Sequence, residues 1–500
     1  MLRNVGSTWV VIVATVAATY VITPFVIQAL GREGYGVWTL ITALTGYLSL
    51  FALGVPMASV RYLGQHAADR DTGKLNQIIG SCAGLYLLIG AGALAVGGLL
   101  TWLFLQWDDV PAAFRAEGTL AFGLMAFQVS AGFIGLLPEG IMFAHHDFVV
   151  RNLIRLAGVL LRLALTVALL WWRASLLTLA LVQVVCFAVD VGLTWLIVRR
   201  RYPGIRISLA DFDWSAVRRV FSFSVYVLLL TAGARLIFET NAIVIGAFRS
   251  FGDIAYYVVA NSLVVYLMEF VLAIASVVST MATRLQAEGR LAGLREIFLK
   301  WSKVAFSLTI VVGAFLFVLG PRFIGWWIEP SFEEPSGTVL RILIVSSLVF
   351  LPVRGVALPV LLGLGKPRVP TIAFLATGIA NVLLSIALVG PFGLAGVALG
   401  TAIPNIVFAG VVLTLACREL DISLVEYVRY VVPKVALGAV PMVAFLEWCR
   451  WALNVTSFTG LAAAGSAMLL LFGLSAVFFI YRHDPYVDLR AQLGRARIWR

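Results

Sequence analysis

Apolar stretches of bilayer length recur along the whole 500-residue chain, separated by short polar gaps. They fall near 7–30, 36–62, 77–105, 118–144, 150–172, 175–198, 221–248, 254–282, 302–320, 338–365, 369–390, 392–417, 427–449 and 456–481. About 20 apolar residues in a helix cross the hydrocarbon core. In lipid every backbone N–H and C=O must find its partner within the chain, so runs of this length are helices. The period-2 alternation of an outer-membrane barrel is missing. Composition agrees, with 61% of residues hydrophobic and 12% charged, where a soluble domain has about 25% charged. The sequence therefore predicts an all-α integral membrane protein of about 14 transmembrane helices. The gaps leave no room for an extramembrane domain. The first run is too long for the core of a signal peptide and lacks a convincing cleavage site, so it reads as a retained span.

The formal charge is +12. Such an excess can serve nucleic acid or a membrane, but here the Lys and Arg sit in the gaps between apolar runs. Counted in alternate gaps, about 25 fall on the side of the N-terminus and about 6 on the other, and cytoplasmic loops are the ones that carry the excess. Among the former are Arg199, Arg200 and Arg201, and Lys300 and Lys303; among the latter are Arg32, Arg115 and Arg450. The expectation is a multi-pass protein of the cell inner (plasma) membrane with both termini cytoplasmic and no nucleic-acid partner. Cys82, Cys186, Cys417 and Cys449 are scattered and show neither metal spacing nor a disulfide framework. His145-His146-Asp147 has no further ligand near in sequence, and residues 31–36 contain glycines without the strand or the GK[ST] of a phosphate loop. No metal, no cofactor and no ATP site are expected.

A weak internal repeat is present. Val26-Ile27-Gln28-Ala29-Leu30 before Gly31 is echoed by Val244-Ile245-Gly246-Ala247-Phe248, and Gly73-Lys74-Leu75 by Gly289-Arg290-Leu291. A six-helix unit used twice begins on the same side each time, which gives two parallel repeats with a substrate path between them. The expected division is 1–210 for an N-terminal lobe of six helices and 211–420 for a C-terminal lobe. Residues 421–500 then form two further helices and a cytoplasmic tail. Within 211–220, Trp214 and Val217 share a face with Phe221 at helical spacing; the segment is either a short interfacial helix or the start of the seventh span.

Six ionisable residues fall near the midpoints of the runs: Arg162, Asp190, Arg235, Glu239, Glu269 and Arg354. Each costs about 2.5–3.5 kcal/mol at the bilayer centre. Facing lipid, the six together would cost more than the roughly 5–15 kcal/mol that holds a typical protein folded. They must pair with one another or face a solvated cavity. Arg235 and Glu239 are four apart, so they share a helix face and can pair. Arginine grips phosphate bidentately and stays charged. A cavity lined by Arg162, Arg235 and Arg354, with Arg61 at its cytoplasmic mouth, suits a polyprenyl-diphosphate headgroup or an acidic sugar. Asp190, Glu239 and Glu269 are the candidates for coupling to a proton or sodium ion.

Several segments carry a family resemblance: Ala29-Leu30-Gly31-Arg32-Glu33-Gly34-Tyr35-Gly36-Val37-Trp38 after the first run, Leu53-Gly54-Val55-Pro56 with Arg61-Tyr62 at the end of the second, Asp211-Phe212-Asp213 before the seventh, and the small-residue segment Gly393-Leu394-Ala395-Gly396-Val397-Ala398-Leu399-Gly400. With the helix count and the repeat, the chain resembles Wzx-type polysaccharide flippases of the multidrug/oligosaccharidyl-lipid/polysaccharide exporter superfamily over nearly its whole length. The resemblance implies two six-helix lobes in a V, two extra C-terminal helices, an electropositive lumen, and ion-coupled alternating access that moves lipid-linked oligosaccharide across the membrane. It implies a transporter and not an enzyme. Its partners would be lipid-linked oligosaccharide, membrane lipids, a coupling ion and, in some systems, a polysaccharide polymerase. The family has no sharp residue signature, so the site residues rest on depth and charge alone. Two alternatives stand beside it. One is a multidrug or cation antiporter of the same superfamily. The other is a membrane-embedded glycosyltransferase or polymerase, for which Asp108-Asp109 in a short outer gap would be the acidic pair.

Overall fold

The computed structural model describes residues 2–52, 72–206, 212–453 and 455–487, with positions 55, 56, 59, 60, 63, 64, 208 and 209. Among them the secondary structure is helical throughout, with no strand. Twelve helical stretches are long and apolar enough to cross a membrane. Two of these divide at a glycine: Gly31 (φ 72, ψ 174) inside α1 (Leu2–Tyr47) and Gly393 (φ 58, ψ −135) inside the helix Arg368–Glu419. A positive φ drives a Cβ against the neighbouring carbonyl, which is why glycine occupies both breaks. Divided at these glycines, the twelve stretches give fourteen helical segments among the described residues, near the roughly fourteen spans that the apolar runs predict. At Gly393 the chain turns back on itself. Asn381 donates a 2.7 Å hydrogen bond to Thr401, a pair that a straight helix would hold about 30 Å apart. Gly396 lies so close to the other arm that a Cβ there would sit 2.0 Å from the Leu388 carbonyl oxygen.

The chain divides into two compact units, Met1–Ala255 and Tyr256–Arg500. The first contains α1, α2 (Thr72–Leu105), α3 (Ala112–Ala144), α4 (Phe148–Trp172), α5 (Leu176–Arg201), α6 (Trp214–Phe238) and α7 (Thr240–Phe248). The seventh span is thus grouped with the first six. α6 runs unbroken from Trp214; Asp211 lies outside the described residues. α2 packs on α3 and α3 on α5, around a core that includes Leu85, Tyr86, Phe133 and Ile141. The repeat-related turns that follow the first and seventh runs meet in this unit. A Cβ at Gly36 would fall 1.9 Å from the Phe251 carbonyl oxygen. Trp107 stands edge-on to the Phe251 ring with centroids 6.1 Å apart, and Arg249 pairs with Asp253 at 3.0 Å.

The second unit holds most of α8 (Phe251–Ala287), then α9 (Leu291–Val318), α10 (Gly320–Trp327), α11 (Glu333–Pro352), α12 (Leu358–Gly363), α13 (Arg368–Glu419), α14 (Leu424–Val431), α15 (Pro433–Trp451) and α16 (Phe458–Ser475). α15 packs on α9 and α16, with Val311, Met442, Leu446 and Met468 among the buried contacts. A polar staple closes this packing. The Lys303 ammonium on α9 donates to the Asp484 carboxylate at 2.5 Å and to the Ile480 carbonyl at 3.2 Å. Both side chains are 1% exposed. Tyr430 donates to the same carboxylate at 2.8 Å, as do the backbone N–H groups of Tyr486 and Val487. Burial disfavours the Asp484 carboxylate, but the hydrogen bonds from Lys303, Tyr430 and Tyr486 outweigh it and hold the carboxyl below its ordinary range.

Candidate functional site

Seven residues make a helix turn almost twice, so residues four and seven apart share a face. On α4 that rule separates two faces. Leu153, Leu160 and Trp171 are exposed on one, which is apolar. Arg151, Arg155 and Arg162 lie within about 40° of one another on the opposite face. Arg151 is buried and grips Asp190 of α5 with both terminal nitrogens, at 2.7 and 3.0 Å. Its second nitrogen also reaches Glu139 of α3 at 3.4 Å. Arg155 donates to the other oxygen of Glu139 at 2.8 Å. Two arginines and two carboxylates therefore bind three helices together. Arg162 is exposed two turns further on, beside Cys186 and with no ion-pair partner among the described residues.

The seventh span is divided where its charges are. α6 ends at Phe238 and α7 starts at Thr240; Glu239 between them still donates its backbone N–H to the Arg235 carbonyl at 2.9 Å. Arg235 pairs with Glu239 at 2.8 Å, each about one-third exposed (31% and 33%). The i,i+4 spacing predicts this pair, and it forms. Gly46 on the second span makes room for it, since a Cβ there would lie 3.1 Å from the Arg235 guanidinium. Tyr47 donates to the Arg235 carbonyl at 3.2 Å and shares a hydrogen bond with the Thr240 hydroxyl.

In the second unit Arg354 sits in a π-helical turn, Val353–Ala357, between Pro352 and Pro359. Proline removes a ladder hydrogen bond, and π-turns accommodate the lost register, often where function needs a distorted helix. The guanidinium lies over the rings of Phe374 and Phe350, 5.3 and 5.7 Å from their centroids, and 2.7 Å from the Met268 sulfur. Glu269, exposed on α8, is near enough for its charge to act on Arg354.

The predicted residues thus occupy three places. Arg162 and Asp190 lie on α4 and α5, Arg235 with Glu239 where α6 gives way to α7, and Arg354 near Glu269 in the second unit; Arg61 lies outside the described residues. Sequence reasoning does not select Glu139, Arg151 or Arg155 as site residues: Glu139, beside Pro138 near the end of its run, reads as a residue that can snorkel. Arg151 reads as a loop charge from its position at the start of a run, and only the 4-and-7 spacing of the three arginines signals a shared face. His145 and Asp147 take part in the loop between α3 and α4. The His145 ring packs 4.1 Å from Tyr202, and Asp147 accepts the Tyr202 hydroxyl and pairs with Arg201. Cys82, Cys186, Cys417 and Cys449 are all buried.

A helical membrane scaffold with charged groups at depth narrows the class, and comparison with known proteins narrows it further. Residues 1–286 match the family described as polysaccharide biosynthesis protein. The chain belongs to this family. It is 21% identical over 474 residues to the uncharacterized membrane protein EpsK of Bacillus subtilis, covering 92% of this chain and 91% of that one. Among solved structures it resembles an inward-facing multidrug resistance MATE family transporter of the MOP superfamily (TM-score 0.70, 17% identity, 81% of this chain and 94% of that one). It also resembles the lipid II flippase MurJ in an inward closed conformation (TM-score 0.70, 13% identity, 95% and 98%). At these identities the likeness is one of fold, and the fold is that of MOP superfamily transporters.

Proposed function

We propose that this family member is a flippase. It moves polyprenyl-diphosphate-linked oligosaccharide from the cytoplasmic to the periplasmic leaflet by ion-coupled alternating access. One observation carries the reading: Arg162 lies in the middle of the bilayer-length apolar helix Phe148–Trp172, exposed, with no carboxylate to neutralise it among the described residues. A charge so placed is costly unless an anion or water meets it, and a lipid diphosphate supplies the anion. The membership in a polysaccharide biosynthesis family supports a glycan cargo, and the fold shared with the lipid II flippase MurJ supports a lipid-linked one. On this reading Arg162, Arg235 and Arg354, with Arg61, contact the headgroup. Asp190, Glu239 and Glu269 are the groups available to a proton or sodium ion. Asp190 would have to exchange its Arg151 contacts to serve. The Lys and Arg excess assigns both termini to the cytoplasm.

The test is the fate of lipid-linked oligosaccharide in a host deleted for the gene. Undecaprenyl-linked repeat units should accumulate on the cytoplasmic face. The wild-type gene should clear them, and well-expressed Arg235→Ala or Arg354→Ala should not. Normal translocation in the deletion host, with altered resistance to cationic dyes, would overturn the reading in favour of a drug antiporter.

A further inference from the structure

The three arginines of α4 are interrupted on their own face by Gly158. It lies one turn beyond Arg155 and one turn before Arg162, and a Cβ built there would meet nothing within 4 Å. The helix surface between Arg155 and Arg162 therefore carries no side chain at Gly158 and no packed neighbour against its Cβ position. It spans about 10 Å of helix rise.

The charges around this notch are unequal. Arg151 and Arg155 pair with Glu139 and Asp190, both oxygens of Asp190 are already taken up by Arg151, and Arg162 further along the same face has no ion-pair partner among the described residues. Glu139 alone serves Arg155, and it also reaches Arg151. Glu139 can therefore release Arg155 without becoming unpaired. One positive charge is left over, at Arg162. An anion entering between the two side chains would neutralise Arg162 and compete with Glu139 for Arg155.

We propose that Arg155, Gly158 and Arg162 form a diphosphate cradle on α4, with Glu139 holding Arg155 in reserve until the substrate arrives. The inference rests on the flippase reading above and gives it a first contact. Each guanidinium takes one phosphoryl group by the planar two-nitrogen fork that arginine offers. The glycine leaves room for the bridging oxygen and the first sugar. A single phosphate, as in a phospholipid headgroup, engages one fork only.

The full-length protein in phosphatidylcholine nanodiscs can be titrated with farnesyl diphosphate, farnesyl phosphate and phosphatidylglycerol. The diphosphate should bind about tenfold or more tightly than either monophosphate. Gly158→Leu keeps every charge and adds its Cβ where nothing lies within 4 Å, so it should fold, yet lose about tenfold in diphosphate affinity. Arg162→Gln should lose as much, Arg162→Lys should recover only part of it, and Glu139→Gln should bind more tightly than wild type. Unchanged diphosphate affinity in Gly158→Leu, or equal affinity for phosphatidylglycerol and diphosphate, would overturn the cradle. Translocation of lipid-linked oligosaccharide, measured on the same variants, separates this from the flippase reading. Wild-type translocation with unaltered binding in Gly158→Leu removes the cradle alone. The expected binding pattern without any wild-type translocation removes the flippase and leaves the cradle.

Discussion

At the scale of single residues the strongest commitment in the chain is one that looks incidental in sequence. Lys303 stands at the edge of an apolar run and counts as a loop charge; in the structure it is 1% exposed and bound to Asp484, 181 positions away. Removing one partner of a buried pair strands the other and typically costs about 3–5 kcal/mol, while replacing both with apolar groups can be neutral or better. Asp484→Ala should therefore lower thermal stability in detergent sharply, and Lys303→Met with Asp484→Leu should restore most of it. Equal losses in the single and double variants would show that the pair matters only through its volume. The pH dependence follows from the direction of the shift. The folded carboxyl lies below its ordinary range, so its contribution is complete above the unfolded value of about 3.9. It is lost as pH falls from there through the folded value. The stability of the wild type relative to the Met/Leu double variant should fall below about pH 4 in thermal denaturation, at the acid end only. Sequence separation decides which pairs can be read in advance. Arg235–Glu239 is legible because both residues lie on one helix at i,i+4. Arg151–Asp190 is not, because its geometry depends on how α4 meets α5.

At the scale of elements the fourteen spans follow from the apolar runs, since lipid admits no other solution for such stretches. The places where the helices deform are harder to read. Pro352 and Pro359 announce a distortion but not that it is a π-turn carrying Arg354. The division of the seventh span at Glu239 has no proline or glycine to mark it. The small-residue run at 393–400 reads as a family trait, and the structure gives its physical cause. Gly393 makes the turn, and Gly396 and Gly400 face the other arm, where a Cβ at Gly400 would come 2.3 Å from the Ser385 hydroxyl and 2.6 Å from its backbone nitrogen. A backbone cannot yield as a flexible side chain can. Overpacking a tight contact costs about 1–3 kcal/mol. Gly396→Ala should thus destabilise by at least that amount in thermal melts, while Gly390→Ala in the same helix, where a Cβ meets nothing within 4 Å, should be nearly silent. A silent Gly396→Ala would mean that the hairpin arms part easily.

At the scale of the whole molecule, transport requires that some contacts break on every cycle, and the meeting of the two repeat-related turns is one that the chain can be made to report on. The Gly31 turn and the turn before Phe251 lie on one side of the membrane by span count. They touch through backbone, with Gly36 against the Phe251 carbonyl. A contact of that kind has no flexible side chain to stretch, so it is either kept or lost. A Cβ at Gly252 would stand 3.8 Å from that of Arg32, the mean spacing of about 3.8 Å between the β-carbons of a disulfide. Arg32→Cys with Gly252→Cys should therefore oxidise readily. The native cysteines are buried and should not compete. If the flippase works by alternating access, the turns must separate to release cargo on their side. Oxidised double variant should then be inactive in the lipid-linked oligosaccharide assay, and dithiothreitol should restore it, while each single variant stays active in both conditions. Full activity of the cross-linked protein would mean that these turns stay together through the cycle. The exit would then have to open elsewhere.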